Sequence, residues 1–425
     1  MARDEKLVKT IDLPLLFMYM ALLFLGWLTI YASELDINAN IPPWDLSISS
    51  GRQLLFIGTS SVLIILIMAT DYKFYDVFSY FIYGAVILVL VAVLGIGKTV
   101  AGSKSWLGVG SFGVQPSEFA KFAVALALSK YLSNPLIRLD RWPDLYRAAG
   151  IIGIPAILIL LQNDTGSALV FSAFIIPLFR EGLPAWIPNL GIGVVFLFIL
   201  TLIIPQGWLL IIIGVFAGGF FFLMEKTISN IITLIVIALV VCGVVVGANY
   251  FINDVLQPHQ QNRIKVLINP NIDPLGVGWN VTQSKNAIGS GGFFGKGYLE
   301  GTQTKFNFVP EQSTDFIFCT IGEEFGWIGS LVVCSVFLGM LWRLVYLADR
   351  QKLKFSRVYG YSVAAILFFH FTINIGMTVG LLPVIGIPLP FISYGGSSLW
   401  SFTILLFIFL KLDAHRGHML ARDAG

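Results

Sequence analysis

Twelve apolar runs divide this 425-residue chain, near residues 13–33, 52–70, 76–97, 117–132, 147–162, 166–180, 186–204, 208–223, 229–251, 316–342, 357–382 and 394–411. Most approach or exceed the ~20 residues a helix needs to cross ~30 Å of hydrocarbon, where every backbone N–H and C=O must be satisfied without water. That repetition restricts the fold to an all-α polytopic membrane protein, a bundle of ten to twelve transmembrane helices. Several runs are short, and 186–223 reads either as one hairpin or as two tilted helices. Composition agrees: the chain is 56% hydrophobic and only 12% charged, about half the charge a soluble domain carries. The first run is too long for a signal-peptide core and has no small-residue cleavage site, so it is expected to remain as an anchor.

With the basic N-terminus in the cytoplasm, alternate loops place most of the 27 Lys and Arg inside, whereas the short outer loops hold only Arg52, Lys98 and Lys104. Both termini are therefore expected to be cytoplasmic, and the number of spans even. The one large hydrophilic interruption, 252–314, falls outside as a single extracytoplasmic loop carrying the Gly-rich GSGGFFGKG at 289–297. A loop of that size is usually functional. No soluble domain is evident, so residues 1–425 read as one integral membrane domain.

Several chemistries are excluded. The chain has no GxxxxGK[ST] phosphate loop and no dinucleotide fingerprint, so no nucleotide cofactor is expected, and nothing points to nucleic acid. Cys242, Cys319 and Cys334 lie in apolar stretches without a Cys/His cluster and read as packing residues. What remains is an ion-driven transporter, or an enzyme whose substrate arrives already activated in the membrane.

Ionisable residues inside apolar helices are costly and mark candidates by default. Glu118 and Lys121 in QPSEFAKF stand three apart on one helix face, either as a self-neutralising pair or as the wall of a polar cavity, with Lys104, Trp106 and Gln115 supplied by the preceding loop. Asp164 in LLQNDTGSALV breaks two apolar runs and either caps the following helix or faces the same cavity. Asp315 stands where the long loop enters the next helix, with Ser313 and Thr314 as competing caps. Glu323 and Glu324 are adjacent, so at most one is expected to face the interior. Near the C-terminus, Pro383, Pro388, Pro390, Gly395 and Gly396 imply broken backbone at membrane depth, where half-helix ends beside Ser397 and Ser398 suit an anion such as a pyrophosphate. A simple loop is the alternative there.

Four segments in order, WLGVGSFGVQPSEFAK, QNDTGSA, the run from Gln283 to Ser330, and PLPFISYGGSS, resemble the landmarks of the SEDS family, and KGYLEGTQ resembles its elongation branch. Two departures are visible: the family usually has ten spans, so 186–223 looks like an inserted helix pair, and its common Gln-Pro-Asp-Leu-Gly appears here as QNDTG. The resemblance implies a SEDS-type bundle in the bacterial cytoplasmic membrane, acting as a peptidoglycan glycosyltransferase that uses lipid II as donor and acceptor. It implies Asp315 as the general base of an inverting transfer, Lys121 with Glu118 shaping the cavity, and Trp106 packing on sugar or lipid. Asp164 would orient groups or hold a divalent cation, Mg²⁺ or Mn²⁺. The partner implied is a class B penicillin-binding protein. The rival reading is a lipid II flippase using the same cavity without chemistry.

Overall fold

The structure, a computed structural model, describes residues 11–34, 42–100, 102–109, 112–256, 258–268, 272–273, 276–306 and 308–416. Contacts divide the chain into two compact units, Met1–Leu183 with Thr282–Gly425, and Pro184–Val281.

In the first unit, α1 (Leu13–Glu34), α2 (Ser49–Ala69), the short α3 (Tyr72–Val77) and α4 (Ser79–Ile96) lead to three strands, β1 (Lys98–Val100), β2 (Ser103–Val109) and β3 (Phe112–Val114), in an antiparallel order β1-β2-β3. These strands are a small addition to the helical bundle expected from the sequence. They are only three to seven residues long, with a register irregularity between Lys98 and Thr99, so their alternation is too brief to stand out from the sequence. Helix α5 (Pro116–Ser133) follows, then α6 (Trp142–Leu161) and a helical run built from α7 (Thr165–Val170), a 3₁₀ turn (Phe171–Phe174) and α8 (Ile175–Arg180).

The second unit holds α9 (Trp186–Ile203), α10 (Gln206–Leu223), α11 (Ile228–Tyr250), which runs into a π turn (Phe251–Val255), and the polar α12 (Pro258–Lys265). Helices α9 and α10 are thus two separate elements, divided where Pro205 cannot donate to a helix ladder. Both pack on α11, and the Asn249 side-chain amide donates to Gln206 Oε1. Helix α9 buries none of its residues, α10 only Leu209 and α11 only Val245, so their Ile, Val and Phe side chains suit a lipid surround.

The chain re-enters the first unit through α13 (Val277–Ser290), α14 (Thr302–Lys305), α15 (Ile317–Glu324), α16 (Gly326–Asp349), α17 (Lys354–Thr378) and α18 (Gly396–Ala414). The expected loop 252–314 is therefore partly helical. Its expected neighbour, one span over 316–342, is divided at Phe325 and Gly326, with Gly326 at φ +65°. The Gly-rich segment satisfies that break: Lys296 and Gly297 N–H groups donate to the Glu323 and Glu324 carbonyls, and Trp327 and Ile328 N–H groups donate to the Gly292 and Phe293 carbonyls. A Cβ at Gly291 would lie 2.0 Å from the Gly322 carbonyl oxygen, so this approach requires glycine.

Among the described residues, ten helices are long and apolar enough to cross a membrane, and this is a multi-pass membrane protein. Helix α5 carries Glu118, Lys121 and Lys130 and is largely buried, with α4, α17 and α18 packed round it. One end of the unit is laced by ion pairs. Arg343 reaches Asp12 at 2.7 Å, Arg350 Nε donates to Asp413 at 3.1 Å, the same guanidinium lies 3.9 Å from Asp12, and Arg357 pairs with Glu181 at 2.8 Å. Asp12 and Asp413 share Arg350, so α1 begins and α18 ends on the same face.

Candidate active site

The non-helical stretch between α17 and α18, residues 379–395, is where most candidate residues meet. Broken backbone inside a bundle needs partners, and here they are supplied from four directions. Asn374 Nδ2 donates to the carbonyls of Ile387 and Asp315, both at 2.8 Å. Ser393 Oγ donates to the Thr314 carbonyl at 2.6 Å, and the Tyr394 N–H to the Ser313 carbonyl at 2.9 Å. The Gly395 N–H reaches Gln53 Oε1 at 3.3 Å, and the Gln115 N–H donates to Ser397 Oγ at 3.1 Å. The segment preceding Asp315 is thus stitched to the break by backbone and hydroxyl groups.

Asp315 is half-exposed in the turn before α15. The cap residue of that helix is Phe316, with no side-chain cap bond, so Asp315 stands one position too early to be the N-cap. Its Oδ2 would lie 3.1 Å from a Cβ built on Gly386, a residue at φ +79°. The carboxylate therefore lies against a glycine of the broken segment, and a side chain at 386 would crowd it.

Asp164 caps one helix and bonds to the start of another. Oδ1 accepts from the Ser167 N–H at 3.0 Å and caps α7, while Oδ2 accepts from Gln115 Nε2 at 2.8 Å and Ser117 Oγ at 3.2 Å. Gly166, two residues on, packs directly on Ile385 and Ile387 of the break.

Glu118 and Lys121 form a buried ion pair at 2.7 Å, with side-chain exposures of 5% and 0%. Lys121 Nζ also lies 3.0 Å from His370 Nε2 and 4.6 Å from the Phe402 ring centroid. Its three protons are thus met by a carboxylate, an imidazole and an aromatic face, which leaves Lys121 closed off from anything outside the bundle.

Two expected residues lie elsewhere, and a third, Ser398, adjoins the end of the break. Lys104 Nζ donates to the Leu94 and Gly95 carbonyls at 2.7 and 3.0 Å, capping the C-terminus of α4. Trp106 lies on β2 with its ring against Gly113. Ser398 Oγ turns back to the Gly395 carbonyl at 3.1 Å. Sequence reasoning missed His370 and Asn374, a turn apart in the apolar stretch FFHFTIN; a polar residue at membrane depth was the available signal.

Glu323 and Glu324 are both buried, at 0% and 2% exposure. Their shared cover is the 296–305 segment, which folds round the end of α15. Glu323 Oε1 accepts from the Thr302 and Gln303 N–H groups at 2.8 Å and from Lys296 Nζ at 2.6 Å, and Oε2 accepts from the Thr304 N–H at 2.9 Å. Burial pushes its carboxyl up, but Lys296 and the amides of Gln303 and Thr304 outweigh this and hold it below the ordinary range. Burial, with the neighbouring Glu323 charge, lifts Glu324 to about 7.

A many-span helical bundle with buried ionic groups gathered on one broken segment defines a membrane protein with an intramembrane polar site. The chain belongs to the FtsW/RodA/SpoVE family of cell cycle proteins, whose profile matches residues 13–208 and 179–418. The peptidoglycan glycosyltransferase RodA of Treponema pallidum (strain Nichols) is 32% identical over 437 aligned positions, covering 96% of this chain and 99% of that protein. The peptidoglycan glycosyltransferase MrdB of Escherichia coli (strain K12) is 32% identical over 370, covering 86% and 85%. Among solved structures, a chain of a peptidoglycan synthase complex that coordinates polymerization and crosslinking superposes with a TM-score of 0.69 at 25% identity, covering 96% and 98%. RodA of Thermus thermophilus, at 24% identity and a TM-score of 0.61, covers 96% and 97% and shares the fold.

Proposed function

We propose that this chain is a peptidoglycan glycosyltransferase of the RodA type, polymerising lipid II into glycan strands during cell elongation. The observation that carries the reading is the carboxylate of Asp315, set against Gly386 where the family's outer-loop motif meets the broken segment. In the transfer, the acceptor sugar's 4-hydroxyl oxygen forms a bond to the donor's anomeric carbon. The bond from that carbon to the diphosphate breaks, its electron pair leaving with undecaprenyl diphosphate. Asp315 takes the hydroxyl proton, and one displacement inverts the anomeric centre. The start of α18, whose cap Gly395 offers no side-chain bond, supports a diphosphate seat there.

A divalent cation suits a departing diphosphate. Among the described residues no group of three or more His, Cys, Asp or Glu is placed to hold one, and both Asp164 oxygens already accept hydrogen bonds. The residues present do not build a resident site, and a Mg²⁺ or Mn²⁺ is best regarded as arriving with the diphosphate. The transport reading is not favoured. A flippase must offer polar groups through the membrane's thickness, whereas Glu118, Lys121, His370 and Asn374 bond to one another or to backbone.

The chain works in the bacterial cytoplasmic membrane with both termini inside, beside a class B penicillin-binding protein that crosslinks what it polymerises. The test is purified protein with fluorescent lipid II, with and without such a partner, read as glycan chains on a gel. Asp315→Asn is expected to insert, fold and bind its partner, yet lose at least roughly a hundredfold in polymerisation. Near-normal chains from that variant would move the base elsewhere, with Asp164 next in line.

A further inference from the structure

His370 is one of four histidines in the chain and lies buried midway along α17. Its two ring nitrogens have different neighbours: Nδ1 is 3.1 Å from the Pro388 carbonyl oxygen, and Nε2 is 3.0 Å from Lys121 Nζ. A carbonyl can only accept, so Nδ1 carries the proton. An ammonium can only donate, so Nε2 must present its lone pair. Both contacts are satisfied by a single species, the neutral ring protonated on Nδ1. An imidazolium would set two donors against each other, and the opposite tautomer would lose both bonds.

The ring thereby joins three parts of the bundle. Lys121 and Glu118 stand on α5, His370 on α17, and Pro388 in the broken segment two residues after Gly386, against which Asp315 lies. Asn374, one turn on, holds the carbonyls on both sides of that contact, those of Ile387 and Asp315. The Phe402 ring closes the site, edge-on to His370 at 4.8 Å and facing Lys121.

We propose that His370, as its Nδ1–H tautomer, is a positioning residue for the transfer reaction, transmitting the fixed place of the Lys121–Glu118 pair to the Pro388 turn and so to the Gly386 surface beside Asp315. This rests on the glycosyl-transfer reading. Lys121, closed off from substrate, acts through the same connection, as the buried post to which the broken segment is tied. The ring's substitutes separate its two bonds. Glutamine places a terminal amide near Nε2 and keeps an acceptor for Lys121, whereas asparagine places its amide near Nδ1, keeping the Pro388 bond and abandoning the ammonium.

Two measurements test this. In lipid II polymerisation, His370→Asn, which cuts the Lys121 bond, is expected to lower kcat ~10- to 100-fold, and His370→Gln, which cuts the Pro388 bond, about 3- to 10-fold, both with KM nearly unchanged, the sizes of a lost charged and a lost neutral hydrogen bond. Parental activity in either variant, or a loss confined to KM, would overturn the role. Independently of any enzymology, ¹⁵N spectra of histidine-labelled protein in lipid nanodiscs, with His370→Gln identifying the resonance, are expected to show a protonated Nδ1 and an unprotonated, hydrogen-bonded Nε2. An Nε2–H tautomer or an imidazolium there would overturn it. If the parent protein makes no glycan while the spectrum is as expected, the functional reading has failed and the tie itself stands.

Discussion

Charge burial governs the residue scale. The Glu118–Lys121 pair lies where water cannot reach, so removing one partner strands the other; breaking such a pair commonly costs about 3–5 kcal/mol, whereas replacing both groups with apolar ones of similar volume is often neutral. Lys121→Met should therefore lower the thermal midpoint of the detergent-solubilised protein sharply, and Glu118→Gln combined with Lys121→Met should recover much of the loss. A double variant as unstable as the single would mean that the ammonium's bond to His370, not the carboxylate's charge, dominates. Glu324 offers a test by pH. Its carboxyl is ordinary when unfolded and titrates at about 7 when folded, so between about 4.5 and 7 the native state holds a proton the unfolded state has lost. Stability from this group is accordingly greatest below its unfolded pKa, falls as pH rises to about 7, and is level beyond. Thermal midpoints of the parent and Glu324→Gln, compared from pH 4.5 to 8, should diverge in that direction, by an amount on the order of 1–3 kcal/mol. Parallel curves would show that the carboxyl is ionised throughout.

Among the elements, the Gly-rich clasp on the α15–α16 break makes the sharpest claim. Gly295 stands at φ +83° with the Glu324 carbonyl oxygen 2.1 Å from where a Cβ would sit, while Gly289, in the same motif, has nothing within 4 Å. Gly295→Ala should cost at least ~1–3 kcal/mol and expose the 291–305 segment to limited proteolysis, and Gly289→Ala should do neither. Equal protease sensitivity would remove the clasp from the account. The same clasp shows where sequence reading stops. Hydropathy found the runs that became helices, because burial in lipid writes itself into composition locally. It could not find the break at Gly326, since the groups that satisfy the break come from about thirty residues upstream. Asp315, Asp164 and the Glu118–Lys121 pair were legible as charges in the wrong solvent, and Ser397 as part of a broken segment. The division of labour among them was not, because Lys104 and Lys121 look alike as letters while one caps a helix and the other is sealed inside the bundle. His370 escaped notice because an imidazole can be neutral and so raises no alarm on a count of charge.

At the scale of the whole molecule, orientation is the open claim. Cation asymmetry and the common face of Asp12 and Asp413 both call for an even number of crossings, so Lys352→Cys should resist an impermeant thiol reagent in intact cells and Asn286→Cys should react, each in a background without the native cysteines. The reverse pattern would invert the protein and put Asp315 on the wrong side of the membrane for chemistry. The ion lacing also imposes an order in time. Asp12 leaves the ribosome long before Arg343 and Arg350, and these before Asp413. Tyr19, which meets Thr403 at 3.0 Å, waits nearly as long. Helix α1 thus finds its final neighbours only once α18 has been made. A nascent chain stalled before α18 would hold half its latch open, with Arg350 and Tyr19 still waiting for the partners that α18 brings.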